Sequence, residues 1–215
     1  MSLDLGYVIV VLVVVLLSMT LHEAMHAFAG HWLGDDTARL SGRLTLNPLK
    51  HLDPFLSIIL PVMLALLHLP VFGGAKPVPF NPNRVRYGDF GAALVAIAGP
   101  LTNLVLAFLA FAIYVGLGLP STDTTAGLFM TAAVFVNLGF FVFNIIPIPP
   151  LDGSRVIYAI APDGIRAVME MIERQGIILV FLVVLLFNQQ IAYFMGSAIQ
   201  FFVQAFAQLF GVQVL

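Results

Sequence analysis

His22, Glu23 and His26, within Leu21-His22-Glu23-Ala24-Met25-His26, form the densest group of chemically capable side chains in the chain. Two histidines four residues apart share one face of a helix, so both imidazoles can reach a single metal ion. Glu23 sits beside them, where a carboxylate could move a proton. H-E-x-x-H is a zinc-hydrolase signature. The solvent around this copy is unusual. Tyr7 to Leu17 is uninterrupted apolar sequence, so the motif lies at the deep end of a membrane-crossing run. Ionisable residues within a bilayer are costly and are read as functional, which weighs against a chance occurrence.

Two histidines make half of a zinc site, because catalytic zinc usually has three protein ligands and an open position. The soluble metzincin pattern needs a glycine and a further histidine where this chain has Ala29 and Trp32, so that reading fails. The later glutamates, Glu170 and Glu173, lie on an amphipathic, surface-like stretch. Asp152 is the better third ligand. It follows a run broken by Pro147-Ile148-Pro149-Pro150, and irregular backbone at membrane depth is tolerated only in protein or beside a wet cavity.

The elements that must position these residues follow from composition. The chain has 215 residues with 9% charged, against about 25% in soluble domains, which makes it an α-helical polytopic membrane protein. It has no cysteine, which excludes disulfides and thiolate metal sites. No basic region or cleavage site marks a signal peptide. A single membrane-embedded domain, residues 1–215, is expected, with a core at about 7–158 and C-terminal helices at about 164–213.

Three long spans form the expected core, at 7–33, 90–119 and 127–150. Trp32 would anchor the first at the interface, and Gly34 would end it. Counting back from Trp32, His26 lies about 9 Å and His22 about 15 Å deeper. Gly91, Ala92, Ala96 and Gly99 permit close helix contact in the second span. There Pro100 should introduce a kink, and Asn103 is a buried polar group. Ser41-Gly42, between Thr37–Leu40 and Arg43–Leu46, reads as a β-hairpin turn. The prolines of Gly73–Pro82 suit an extended edge. Gly176–Phe187 and Ile191–Val212 read as a final pair of spans turning at Asn188-Gln189-Gln190.

Sidedness constrains the path between them. Asp152 meets His22 and His26 only if the first and third long spans run parallel, with one reversal between. Phe55–Leu69, with 15 residues and Pro61 inside, is short of the roughly 20 needed to cross. It is therefore read as re-entrant, entering as a helix and leaving through Gly73–Pro82. That topology puts Arg39, Arg43, Lys50, Lys76, Arg84, Arg86, Arg155, Arg166 and Arg174 on one side, every Lys and Arg of the chain. The positive-inside rule makes that side cytoplasmic and the N-terminus external.

His22-Glu23-x-x-His26, Gly99-Pro100-x-x-Asn103 and Asn144-x-x-Pro147-x-x-x-x-Asp152-Gly153 resemble the site-2 protease family of intramembrane zinc metalloproteases. The resemblance covers roughly Tyr7 to Tyr158 and leaves no room for PDZ or CBS domains, which implies a minimal member. It implies Zn2+ held by His22, His26 and Asp152, Glu23 as proton carrier, and Asn144 or Asn103 near the oxyanion. It also implies a transmembrane protein as substrate; such a segment must unwind locally, and the prolines and the alternation suggest that it adds as a strand near Ala75–Phe80 or Arg43–Leu46. The setting would be a lipid bilayer, a prokaryotic cell membrane, with the active site nearer the cytoplasm. No nucleic-acid partner is expected, and the oligomeric state is open.

The competing function is a non-catalytic zinc-binding membrane protein, either a transporter or an inactive homologue. A transporter would want acidic or histidine residues along several spans, whereas Glu23 alone among acidic residues lies deep in one. An inactive homologue would not need Glu23. Other polar residues read plainly: His31, His51 and His68 as interfacial or loop histidines, Asp53 as a helix cap, and Asp35 and Asp36 as solvated loop residues.

Overall fold

The computed structural model describes residues 5–66 and 73–213. Helix α1, Leu5–Trp32, is 28 residues long. At about 1.5 Å per residue it spans about 42 Å, enough to cross a hydrocarbon core of about 30 Å. Its end is closed by Gly34, and Trp32 is exposed there.

The expected hairpin is absent. Thr37–Leu40 forms a short helix, α2, and no β-strand occurs among the described residues. The cause is Asp35. It is buried, not solvated, and its Oδ1 accepts from the Thr37 N–H (3.0 Å) and hydroxyl (2.5 Å). A carboxylate holding the first free N–H starts a helical turn. A second short helix, α3, covers Pro48–His51, and His51 is fully buried rather than interfacial.

Asp53 caps the next segment as expected, accepting from the N–H groups of Phe55 and Leu56. A π-helical stretch, Pro54–Ile59, runs without a break into α4, Leu60–Leu66, and Pro61 lies near the point where the two join. Residues 67–69 of the expected re-entrant segment, and His68 with them, lie outside the described residues. At residue 74 the chain is back at its starting point: the Gly74 N–H donates to the Leu56 carbonyl (3.1 Å), and Ser57 Oγ donates to the Gly74 carbonyl (2.7 Å). From there to Asn81 the chain carries no regular secondary structure. It forms no strand because Pro77 and Pro79 have no N–H to build a ladder. It is held instead at single points, with Lys76 N–H on the His51 carbonyl (2.8 Å) and Asn81 N–H on Asp35 Oδ2 (2.8 Å).

After a 3-10 turn at Pro82–Arg84, helix α5 runs from Gly88 to Gly116 and helix α6 from Thr125 to Asn144. Pro100 is fully buried within α5 without breaking it. With α1 these are the three helices long and apolar enough to cross a membrane among the described residues. The protein is a helical multi-pass membrane protein. α5 packs against both α1 and α6. Contacts near Val95 and Asn103 of α5 meet His26 and Ser18 of α1 in reverse order, so the two helices are antiparallel. α6 reverses again, leaving α1 and α6 parallel.

The third run is helical only to Asn144, then irregular through Asp152. Gly153 makes that path possible: a Cβ there would lie 2.1 Å from the Ile145 carbonyl oxygen. A short helix not anticipated from the sequence, α7 (Gly153–Ile160), follows and packs on α5. Helix α8 covers Asp163–Gln175. Arg166 Nη1 joins it to Asp89 of α5 at 2.8 Å.

The expected C-terminal pair of spans is corrected. Helices α9 (Ile177–Leu186) and α10 (Asn188–Phe210) are bent by 89° at their junction, so together they supply at most one crossing. The ten residues of α9 reach only about 15 Å. Val203 and Ala207 of α10 complete a core with Ala107, Ala110, Phe111, Val134 and Leu138.

Candidate metal centre

His22 and His26 project from one face of α1, as their spacing requires, and Asp152 reaches them from the irregular chain after α6. His22 Nε2 lies 3.2 Å and His26 Nε2 3.4 Å from Asp152 Oδ2, and the two Nε2 atoms are 3.0 Å apart. The three residues form a group able to hold a metal ion.

Zinc bonds of about 2.0–2.1 Å in a tetrahedron put neighbouring ligand atoms about 3.3 Å apart. The observed triangle of 3.0, 3.2 and 3.4 Å matches one face of that tetrahedron. The donor chemistry agrees. His22 Nδ1 meets Asn103 Oδ1 at 2.6 Å, and His26 Nδ1 meets the Val95 carbonyl at 2.8 Å. Each acceptor holds the ring proton on Nδ1 and leaves the Nε2 lone pair directed at Asp152. Two lone pairs and a carboxylate converging this closely need a positive charge among them. The residues fit Zn2+.

The backbone of α5 forms one wall. A Cβ on Gly99 would lie 2.4 Å from His26 Nε2 and 2.8 Å from His22 Cε1. Only a residue without a side chain lets α5 approach the two rings this closely.

Glu23 Oε2 accepts from the Val78 N–H at 3.2 Å, so the extended chain at 73–81 passes beside this carboxylate. Asn103 is fully buried. Its Nδ2 donates to Asn137 Oδ1 (2.8 Å) and to the Ser18 carbonyl (3.4 Å), so both ends of its amide are engaged. Asn144 Nδ2 donates to the Phe140 carbonyl of its own helix (3.0 Å) and makes no hydrogen bond to the metal-site residues. His31 pairs with Asp36 at 2.7 Å, away from the centre.

Asn137 and the contact role of Gly99 were not singled out from the sequence. For Asn137 the signal was available, since an amide inside a twenty-residue apolar helix asks for a partner. For Gly99 the small side chain suggested close packing, but not against the histidines.

The chain is similar to a Bacillus subtilis protein named "Putative zinc metalloprotease YwhC", 42% identical over 183 residues, which covers 82% of this chain and 78% of the relative. It is also similar to proteins named "Putative zinc metalloprotease Rip2". The Mycolicibacterium smegmatis protein is 38% identical across 69% of this chain and 56% of its own. The Mycobacterium tuberculosis H37Rv protein is 35% identical across 84% and 67%. No family model and no solved structure matches the chain.

Proposed function

The chain belongs to the site-2 protease family of zinc metalloproteases, and from that footing we propose that it hydrolyses peptide bonds in or beside transmembrane segments of other membrane proteins. The observation that carries the proposal is the convergence of His22, His26 and Asp152 beside Glu23, within reach of the hydrocarbon.

His22 and His26 supply Nε2 and Asp152 supplies Oδ2 to hold Zn2+. When bound, zinc supplies Lewis acidity, making water a stronger acid and a peptide carbonyl a better electrophile. Glu23 takes the proton of the attacking water and delivers it to the leaving amine. Its Val78 contact fixes the carboxylate beside the centre. Asn103 fixes the His22 ring, since its amide has no free donor. Asn144 is the better candidate to donate to an oxyanion, because among the described residues its side chain bonds only to its own helix.

A helical peptide bond is shielded by its own hydrogen bonding, so the substrate must unwind before cleavage. Ala75–Phe80 passes beside Glu23 at Val78 and is where an unwound substrate would lie, without strand pairing, since the N–H groups of Lys76 and Val78 are engaged and Pro77 and Pro79 have none. Arg43–Leu46 lost its expected partner strand to α2 and is less suited.

Gly74 lies against Leu56 and Ser57, and these hydrogen bonds support entry and exit of the chain on one side of the membrane. All nine Lys and Arg residues then fall on the side that carries the metal centre. That side is cytoplasmic, and the N-terminus external.

The test compares purified parent protein with Glu23→Gln, measuring zinc content and cleavage of a synthetic transmembrane peptide. Zinc in both and cleavage only by the parent is the expected result. Zinc in both with no cleavage of any tested membrane substrate would return the weight to a non-catalytic zinc-binding protein.

A further inference from the structure

We propose that Asn137 is a positioning residue for the metal centre: it locks the side-chain amide of Asn103 and, through it, selects the tautomer of His22. The inference rests on His22 being a ligand, as proposed above.

Asn103 alone does not settle the matter. An asparagine amide is nearly symmetric in shape, and turning it over would swap Oδ1 for Nδ2 beside His22. The NH2 group would then face Nδ1, and the ring proton would move to Nε2. Nε2 would point a hydrogen at Asp152 and could not bind a metal.

Asn137 forbids that turn. Its own Nδ2 donates to the Ala133 carbonyl at 2.8 Å, which leaves Oδ1 as the atom facing Asn103. A carbonyl oxygen there accepts only, so Asn103 must present Nδ2, as it does at 2.8 Å. The Ser18 carbonyl at 3.4 Å makes the same demand. Asn103 Oδ1 is thereby turned to His22 Nδ1 at 2.6 Å, and the ring carries its proton on that side. The relay runs from a main-chain carbonyl of α6 through two buried amides to a ring on α1. It has one polarity, because the backbone oxygens at Ala133 and Ser18 can only accept. Asn137 and Asn103 are 4% and 0% exposed, so water offers neither amide an alternative partner.

The experiment uses the full chain purified in detergent. Zinc affinity is read by chelator competition, and the His22 Nδ1–H hydrogen bond of zinc-loaded protein by 1H and 15N NMR. Asn137→Leu should weaken zinc binding about 10- to 100-fold, the usual cost of losing an orienting partner beyond a metal ligand. The His22 Nδ1–H signal should then move upfield, because its acceptor on Asn103 loses its fixed orientation. Asn137→Asp keeps an oxygen toward Asn103 and should restore most of the affinity. The double variant Asn103→Leu/Asn137→Leu should bind no more weakly than Asn103→Leu alone, since both act through one relay. Where Asn137→Leu does not fold, Asn137→Ser carries the same expectation. A parent that binds zinc, beside a folded Asn137 variant that binds equally tightly with an unchanged Nδ1–H signal, overturns the relay while leaving the ligand set standing. A parent that binds no zinc overturns the ligand set, and the relay with it.

Discussion

Gly99→Ala separates the effect of the metal centre from ordinary helix energetics. In a helix interior, replacing glycine by alanine normally stabilises by about 0.8–1.0 kcal/mol. At Gly99 the added methyl would lie 2.4 Å from His26 Nε2, 2.6 Å from His26 Cε1 and 2.8 Å from His22 Cε1. Ordinary contact begins near 3.5 Å, so one or both rings must move by about 1 Å. Retreat of α5 is resisted on both sides of Gly99, because Val95 and Asn103 hold the same two histidines. Overpacking of this kind costs about 1–3 kcal/mol, which outweighs the propensity gain and reverses its sign. The larger effect falls on zinc, since metal sites tolerate shifts of only about 0.2 Å in ligand distance. The expected outcome is loss of bound zinc at stoichiometric metal and a lowered thermal midpoint. Gly139→Ala is the control. Gly139 also lies within a span, but nothing stands within 4 Å of its Cβ position, so zinc content there should be unchanged. A Gly99→Ala protein with full zinc content and a raised midpoint would refute the close approach of α5 to the rings.

Removing zinc with a chelator should lower the thermal midpoint, and zinc at about 100 times its dissociation constant should stabilise by about 2.7 kcal/mol, read as a concentration-dependent midpoint. Asp35 provides a pH test. Burial alone would raise its pKa, but hydrogen bonds from the Asn81 N–H and from Thr37 hold it below the ordinary carboxylate value. Because the folded pKa is the lower one, the stabilisation is present at neutral pH and is lost as pH falls below about 4. Asp35→Asn should therefore be less stable than the parent at pH 7, by about 1–3 kcal/mol, with the gap narrowing in acid unfolding measurements. Arg166→Ala removes the α8 ion pair to Asp89 and the bonds to the Ala159 and Ala161 carbonyls; it should cost about 1 kcal/mol in unfolding and leave zinc content unchanged.

Much of the site was legible in the chain itself because its logic is local or combinatorial. The four-residue step from His22 to His26 puts both rings on one face of any helix, whatever surrounds it. The parity of the spans required α1 and α6 to run parallel if Asp152 was to join the histidines, and the two His–Asp contacts meet that requirement. The hairpin did not form because a side-chain carboxylate, Asp35, holds the Thr37 N–H that a strand would have used. The C-terminal pair was misjudged because apolar length does not report the angle at which two helices join.

What tertiary structure alone decided is which groups from other helices meet the histidines. Apolar patterning says that α1, α5 and α6 bury against one another, but it leaves their axial register open. Register brought the Val95 carbonyl and the Asn103 amide to the two imidazoles, Gly99 against their outer edges, and Asn137 behind Asn103. A hydrogen bond requires its partners within about 3 Å, whereas one helical residue advances about 1.5 Å. Helix packing must therefore be accurate to about a residue before such partners exist, and no local spacing in the chain carries that information.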